Sequence, residues 1–169
     1  MKNALFATVF TVAASSMLTY AQQPNAPVKS PRVTVDNELF SIAFGQPSKN
    51  ERKIFGDLVP FGKVWRTGAN MSTDITFKKD VVFGGKKVKK GTYALFTIPQ
   101  ENGQWKVILN SVAGQKGTYE YDANKSKNVA EVKGTVATNT SVEEKLNFDY
   151  QDHEFKLMWD DVIVSVPVK

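Results

Sequence analysis

The segment Thr92–Ile98, with the sequence TYALFTI, is apolar on both of its faces. A strand of this composition is covered by protein on both sides, so it predicts the centre of a sheet. The next residues, Pro99–Gly103 (PQENG), have hairpin chemistry, because Asn-Gly readily adopts positive φ angles. Trp105, Val107 and Leu109 then predict the return strand.

Apolar residues at alternate positions extend outward from this hairpin in both directions. On the N-terminal side they are Val33, Val35, Phe40, Ile42, Phe44, Ile75, Phe77, Val81 and Phe83. On the C-terminal side they are Ala130, Val132, Val136, Leu146, Phe148, Tyr150, Phe155, Leu157, Trp159, Val162, Val164, Val166 and Val168. Roughly eight or nine short strands at this spacing predict an all-β fold, a single antiparallel β-sandwich of jelly-roll or immunoglobulin-like type.

The connections between these strands carry turn signals. Turns are predicted at Asp36-Asn37, at Gly84-Gly85 and at Gln151–His153. The helix candidate is Asn50–Val59, whose apolar residues share one side over two turns, although Gly56 weakens it. We therefore expect at most one short helix.

The N-terminus has the features of an export signal. Lys2 gives it a positive start, Ala4–Leu18 is a short apolar run, and Thr19–Ala21 places small residues at a cleavage site. An uncleaved membrane anchor is the alternative, but a bilayer span requires about 20 apolar residues. We predict a signal peptide over residues 1–21.

The rest of the chain is expected to hold a flexible, Pro-rich leader over residues 22–31 and the β-sandwich domain over residues 32–169. A domain of this length buries enough surface to fold without a disulfide or a metal, and the chain has no cysteine. Exported proteins without cysteine are common in bacteria, so we expect a bacterial protein that is periplasmic or extracellular. We expect no transmembrane span in the mature chain.

The formal net charge is +5, and much of it lies near the Gly84-Gly85 turn. The lysines concerned are Lys78, Lys79, Lys86, Lys87, Lys89 and Lys90. They suit either an anionic partner or an edge strand that lysines protect from aggregation, and we favour the edge strand. No aromatic residues interleave with them, so nucleic acid is not an expected partner.

The stretch Gly56–Asn70, GDLVPFGKVWRTGAN, concentrates recognition groups between glycines and a proline. This composition is typical of an irregular segment between strands, where binding residues are common. The guanidinium of an Arg can form two parallel hydrogen bonds with a carboxylate, phosphate or sulfate. A neighbouring Trp offers a flat apolar surface for a sugar or aromatic ring, and an Asn side chain can both donate and accept hydrogen bonds. Trp65, Arg66 and Asn70 are therefore candidate ligand-binding residues.

A structural role competes with ligand binding for the same residues. On an extended segment Trp65 and Arg66 point to opposite faces, so Trp65 belongs to the core. Arg66 then reaches outward or pairs with a carboxylate such as Asp57 or Asp74, which are candidate supporting residues. We slightly favour this clamp, because irregular segments need side-chain partners for their backbone groups.

The long polar connection Asn110–Asn128 contains Tyr119 and Tyr121, which are further candidate ligand-binding residues. Long loops are uncommon unless they are functional or packed by their own side chains. The two tyrosines therefore either form a ligand platform or pin the loop to the sandwich, and we favour pinning.

The segments quoted above carry a resemblance to a known family. Its hallmark resembles Ile54–Gly56, Leu58–Pro60 and Val64–Asn70, followed by Thr92–Pro99. The chain is similar in these motifs to the secreted bacterial proteins grouped as domain of unknown function 2911, over almost the whole mature chain. The resemblance implies no catalytic residue. One departure is Lys116, which stands where family members often have an aromatic residue.

Other chemistries have little support. His153, the single histidine, lies in a polar turn, which is a poor place for a general base. One histidine and no cysteine predict no transition-metal site. The late acidic residues suit either Ca²⁺ or turns, and their spacing favours turns; they are Asp149, Asp152, Asp160 and Asp161. We expect no metal and no cofactor.

Three functions are compatible with these residues. We favour non-enzymatic binding of a small molecule or glycan at the cell envelope. A hydrolase that uses a carboxylate pair is the first alternative, and a structural or protein-interaction module is the second. The sequence leaves the ligand and the oligomeric state open.

Overall fold

The structure is a computed structural model that describes residues 30–169. The predicted signal peptide and residues 22–29 of the predicted leader lie outside the described residues. The strands are β1 (Arg32–Asp36), β2 (Phe40–Gly45), β3 (Thr73–Phe77), β4 (Val81–Phe83), β5 (Lys86–Val88), β6 (Gly91–Ile98), β7 (Gln104–Asn110), β8 (Asn128–Gln151) and β9 (Glu154–Pro167). One α-helix, α1 (Thr118–Asn124), precedes a 3-10 turn at Lys125–Lys127.

Seven strands form one antiparallel sheet in the order β1-β2-β3-β6-β7-β8-β9, and β4 and β5 form a small second sheet. The all-β class, the antiparallel pairing and the limit of one short helix are confirmed. The central strand of the large sheet is β6, as its apolar faces predicted. Leu95 faces the main core, whereas Ala94 and Phe96 pack on the other side of the sheet beneath α1.

The large sheet curls into a half-barrel. Phe44 of β2 and Phe148 of β8 are far apart in the strand order, yet their ring centroids lie 4.7 Å apart. Backbone hydrogen bonds support this closure: Lys49 N–H donates to the Glu144 carbonyl over 2.7 Å, and Leu146 N–H donates to that of Pro47 over 3.1 Å. The two ends of one sheet thus supply the facing layers around the apolar core.

The small sheet continues the edge formed by β9. Val82 N–H donates to the Lys169 carbonyl over 2.6 Å, and Lys169 N–H donates back over 3.0 Å. Gly84-Gly85 forms the predicted two-residue turn between β4 and β5. The turns predicted at Asp36-Asn37 and at Gln151–His153 are also present.

The helix prediction at Asn50–Val59 was wrong. This stretch forms consecutive turns, with Val59 N–H donating to the Ile54 carbonyl over 2.9 Å. The helix instead lies inside Asn110–Asn128, which the sequence predicted as a loop. It forms there because Tyr121 buries its ring against Phe96 on the outer face of β6, with centroids 4.7 Å apart.

Two pairs of predicted strands are continuous in the structure. The C-terminal apolar positions divide between the single strands β8 and β9, joined by one tight turn. The register of β8 against β9 shifts between Thr138 and Glu143 and again between Glu143 and Asn147. These bulges carry extra residues on β8. Because a bulge bends its strand, they also help the sheet to curl.

Candidate functional site

A cleft of about 520 Å³ lies beside the seam that closes the half-barrel. We call it the main cleft; its lining includes Gln46, Arg52, Leu58, Trp65, Arg66 and Trp159. The Gly56–Asn70 segment forms one wall, and the turn that follows β2 forms another. A smaller cavity of about 190 Å³, the side cavity, adjoins it and is lined by Lys63, Val64 and Thr118 among others.

Trp65 anchors this wall to the sheet. Its backbone N–H donates to the Thr97 carbonyl over 2.8 Å, and Thr97 N–H donates to the Trp65 carbonyl over 2.9 Å. Its indole stacks on that of Trp159 and donates through Nε1 to the Gly68 carbonyl over 3.3 Å. The ring remains half-buried and lines both cavities. Trp65 therefore joins the core, as predicted, and still presents apolar surface to a ligand.

The turn after Arg66 is held in an unusual conformation. Thr67 is buried with φ of 55°, which is an outlier for a β-branched residue. Its hydroxyl lies 3.2 Å from the Thr97 hydroxyl, and its carbonyl accepts a 2.7 Å hydrogen bond from the Thr73 hydroxyl. A strained residue persists only where its surroundings over-determine it. These contacts thus fix the backbone direction beside Arg66.

The Arg66 side chain lies between the two cavities and lines both. Arg66 is half-buried as a residue, and within residues 30–169 no hydrogen bond or ion pair engages its guanidinium. The Gly117 backbone leaves room for it, because a Cβ at Gly117 would stand 3.0 Å from Nη1 of Arg66. A pairing of Arg66 with Asp57 or Asp74 was a wrong expectation. The guanidinium faces the clefts instead.

Asp74 has other partners. Its carboxylate accepts hydrogen bonds from Arg32 over 3.2 Å, from the Ser72 hydroxyl over 2.9 Å and from Gly114 N–H over 3.1 Å. It therefore connects β1, β3 and the loop before α1. Asp57 is exposed and lies outside the lining of both cavities.

The remaining candidates lie apart from Trp65 and Arg66. Asn70 is exposed, with φ of 67°, and its Nδ2 donates to the Ser30 carbonyl over 3.3 Å. Tyr121 is 6% exposed, and its hydroxyl accepts a 3.0 Å hydrogen bond from Asn128. It therefore pins the loop, as favoured from the sequence. Tyr119 is 68% exposed, and none of these three candidates lines either cavity.

Sequence reasoning missed several residues of the main cleft, among them Arg52 and Trp159. Arg52 lies in the turn that was predicted as a helix, where its guanidinium donates to the carbonyls of Ser48 and Lys49. Trp159 is 1% exposed and belonged to a predicted core strand. Of these two residues, only Trp159 had a signal in the sequence. It belongs to a run of alternating apolar residues, which predicted a core residue rather than a binding residue.

Some charged side chains outside the two cavities form ion pairs. Asp36 pairs with Lys78 over 2.9 Å, and Asp80 pairs with Lys89 over 2.8 Å. The hydrogen bond from Lys89, with a second from the backbone of Lys90, lowers the pKa of the exposed Asp80. Over residues 30–169, no three His, Cys, Asp or Glu side chains converge as a metal site requires.

His153 occupies the exposed hairpin turn between β8 and β9, where its Nδ1 lies 3.4 Å from the Tyr150 hydroxyl. Neither helical segment in the described part of the chain has the length and apolarity needed to cross a bilayer.

The segment around Trp65 and the strand β6 both lie within the span that a family model matches. The family model described as "Protein of unknown function (DUF2911)" matches residues 26–168. The chain belongs to the DUF2911 family. Comparison with curated proteins gave no match, and comparison with solved structures gave none. The DUF2911 assignment covers nearly the whole chain, including every residue that lines the two cavities.

Proposed function

We propose that this DUF2911 protein is exported and binds a small molecule or glycan, without catalysis, in the main cleft at the cell envelope. One observation carries the proposal: the Arg66 guanidinium stands at a formed cleft beside a half-buried indole, with no partner among the described residues. A guanidinium in this position has five N–H donors available for a ligand.

The dimensions of the cleft support binding. Ligand sites in proteins commonly enclose about 300–1,000 Å³, and the main cleft encloses about 520 Å³. Its walls are also rigid, because Trp65 is bonded to β6 and stacked on Trp159. A preorganised wall lowers the entropic cost of binding a ligand.

The hydrolase alternative has weaker support. Catalysis by a carboxylate pair needs two acidic side chains facing one cleft. No Asp or Glu of residues 30–169 lines the main cleft or the side cavity. Asp74, which this alternative would use, is occupied by Arg32, Ser72 and Gly114.

Thermal-shift measurements with a panel of sugars, glycan fragments, small anions and neutral metabolites test the binding function. We expect at least one compound to raise the unfolding temperature of the wild type, because a ligand that binds the folded state stabilises it. Arg66→Ala should lose that protection. Lys87→Ala, which removes an exposed charge from β5, is the matched control and should keep it, because Lys87 lines neither cavity.

The panel also distinguishes the alternatives. Turnover of any panel compound that is lost in Asp57→Asn or Asp74→Asn would establish the hydrolase instead. A panel without a single stabilising compound would argue against binding at this cleft.

Export is tested separately on the full chain expressed in a bacterium. We expect the protein in the periplasm or medium, with Gln22 as its N-terminus after cleavage behind Ala21. Cytoplasmic retention of the uncleaved chain would refute this part of the proposal.

A further inference from the structure

The charges at the two cavities all have one sign. Arg52 and Arg66 line the main cleft, and Lys63 and Arg66 line the side cavity. Among the described residues, neither lining contains an acidic side chain to balance them. A cleft lined by charges of one sign concentrates ligands of the opposite sign. The ligand that suits these walls is therefore anionic.

Arg66 is better placed than Arg52 to meet that anion. Arg52 already uses Nε and Nη2 on the carbonyls of Lys49 and Ser48. The guanidinium of Arg66 has no such bonds within residues 30–169. Its planar fork forms two parallel hydrogen bonds with a carboxylate, phosphate or sulfate group. Because Arg66 is half-buried and its guanidinium is unpaired within the described residues, an oxyanion at this position would supply hydrogen bonds that the protein does not.

The position of Arg66 leaves space for a ligand longer than one ring. The main cleft and the side cavity share four lining residues: Leu58, Val59, Trp65 and Arg66. The guanidinium therefore stands at the junction of the cavities rather than at the closed end of one. A ligand whose charged group sits on Arg66 has space to continue in both directions.

The remaining walls suit a sugar chain. The exposed part of the Trp65 indole is an apolar plate on which a sugar ring can rest. Gln46, Ser48 and Asn50 also line the main cleft, where their polar side chains can meet hydroxyl groups. This division between one flat apolar surface and several polar groups is typical of sites that fix a polar ligand in one orientation.

We infer that the ligand is an acidic oligosaccharide of more than one ring, with its oxyanion on Arg66 and a ring face on Trp65. This inference rests on the proposed binding function and adds the ligand's class, charge and length to it.

Isothermal titration of the full mature chain with defined probes tests it. The probes are trigalacturonic acid, its methyl ester, monomeric galacturonic acid and a heparin-derived tetrasaccharide with its desulfated counterpart. Trigalacturonic acid should bind, and its neutral ester should bind about tenfold to a hundredfold more weakly, as loss of a hydrogen-bonded charge implies. The monomer should also bind more weakly than the trimer. Preference for the tetrasaccharide over its desulfated counterpart would assign the oxyanion as sulfate.

Variants connect the effect to the named side chain. Arg66→Gln should abolish the difference between acid and ester. Lys87→Gln removes one positive charge from the exposed β5 strand, outside both cavities, and should preserve that difference. Circular dichroism checks that both variants are folded, and Arg66→Lys, which keeps the charge without the fork, should restore only part of the affinity.

The outcomes separate this inference from the proposed function. Equal binding of acid and ester, or of monomer and trimer, overturns the inference and leaves the binding function standing. If no saccharide binds while another compound of the thermal-shift panel does, the inference is again overturned and the binding function still stands. Absence of binding in both sets overturns the two proposals together.

Discussion

The indole of Trp65 lies against the indole of Trp159, with ring centroids 5.8 Å apart and ring planes inclined by 20°. Phe55 meets each of them edge-on, with centroids 6.1 Å away in both cases. The three rings fasten the irregular Gly56–Asn70 segment to strand β9. The wall of the main cleft therefore depends on the same contacts as the apolar core.

Replacing Trp159 tests this dependence. Trp159→Ala removes a buried ring, so we expect the free energy of unfolding to fall by about 3–5 kcal/mol. Urea denaturation measures the loss. Trp159→Phe keeps most of the volume and should cost less. If the alanine variant were as stable as the parent, the stacked pair could not be holding the segment in place.

The two supporting carboxylates should behave differently. Asp74→Ala removes the acceptor for Arg32, Ser72 and Gly114, so we expect a loss of about 1.5–3 kcal/mol in unfolding free energy. Asp57→Ala changes an exposed side chain and should stay within about 0.5 kcal/mol of the wild type. Chemical denaturation of both variants checks this, and equal effects would contradict the assignment of Asp74 as the structural carboxylate.

The loop tyrosines provide a matched pair. Tyr121→Ala empties the space against Phe96 and removes the acceptor for Asn128, so we expect a cost of about 3 kcal/mol or more. Tyr119→Ala should change stability by less than about 0.5 kcal/mol, because that ring is largely exposed. Thermal and urea unfolding compare them. A larger effect at Tyr119 would show that the loop is pinned in another way.

Gly45 tests the contact between β2 and the site segment. A Cβ at Gly45 would clash with the Ala69 carbonyl oxygen, so the backbone must move to accept a side chain. We expect Gly45→Ala to destabilise the fold by about 1–3 kcal/mol or more and to disturb the main cleft, which Ala69 lines. A variant with unchanged stability and unchanged ligand protection would rule out this close approach.

The pH dependence of stability has a local test at Glu131. A hydrogen bond from Asn128, at 2.8 Å, lowers the pKa of its carboxyl, and Lys106 at 3.4 Å contributes less. Because the folded pKa lies below the unfolded one, ionised Glu131 stabilises the fold above the ordinary Glu range. That contribution is lost as the pH falls through the folded pKa.

Side-chain carboxyl titration by NMR measures this effect. Asn128→Ala should move the pKa of Glu131 upward toward its ordinary value. Lys106→Gln should move it by a smaller amount. The opposite order of the two shifts would contradict the ranking of the two partners.

The alternation of apolar residues was sufficient to predict the strands on either side of β6, because a half-buried strand repeats its burial every second residue. It could not predict that β8 and β9 are continuous. Their bulges shift the register without a local signal as strong as glycine or proline. It also misplaced the helix, because Asn110–Asn128 becomes helical only where Tyr121 meets the outer face of β6.

At the candidate site, the sequence by itself determined that Trp65 and Arg66 lie in an irregular segment followed by apolar strands, since composition and spacing are local properties. Only the tertiary structure decided what these residues touch. Curling of the sheet brought Trp159 against Trp65, Arg52 lines the same cleft, and the carboxylate of Asp74 pairs with Arg32. Such contacts join residues that are distant in the chain, so they follow from strand order and register rather than from any local pattern.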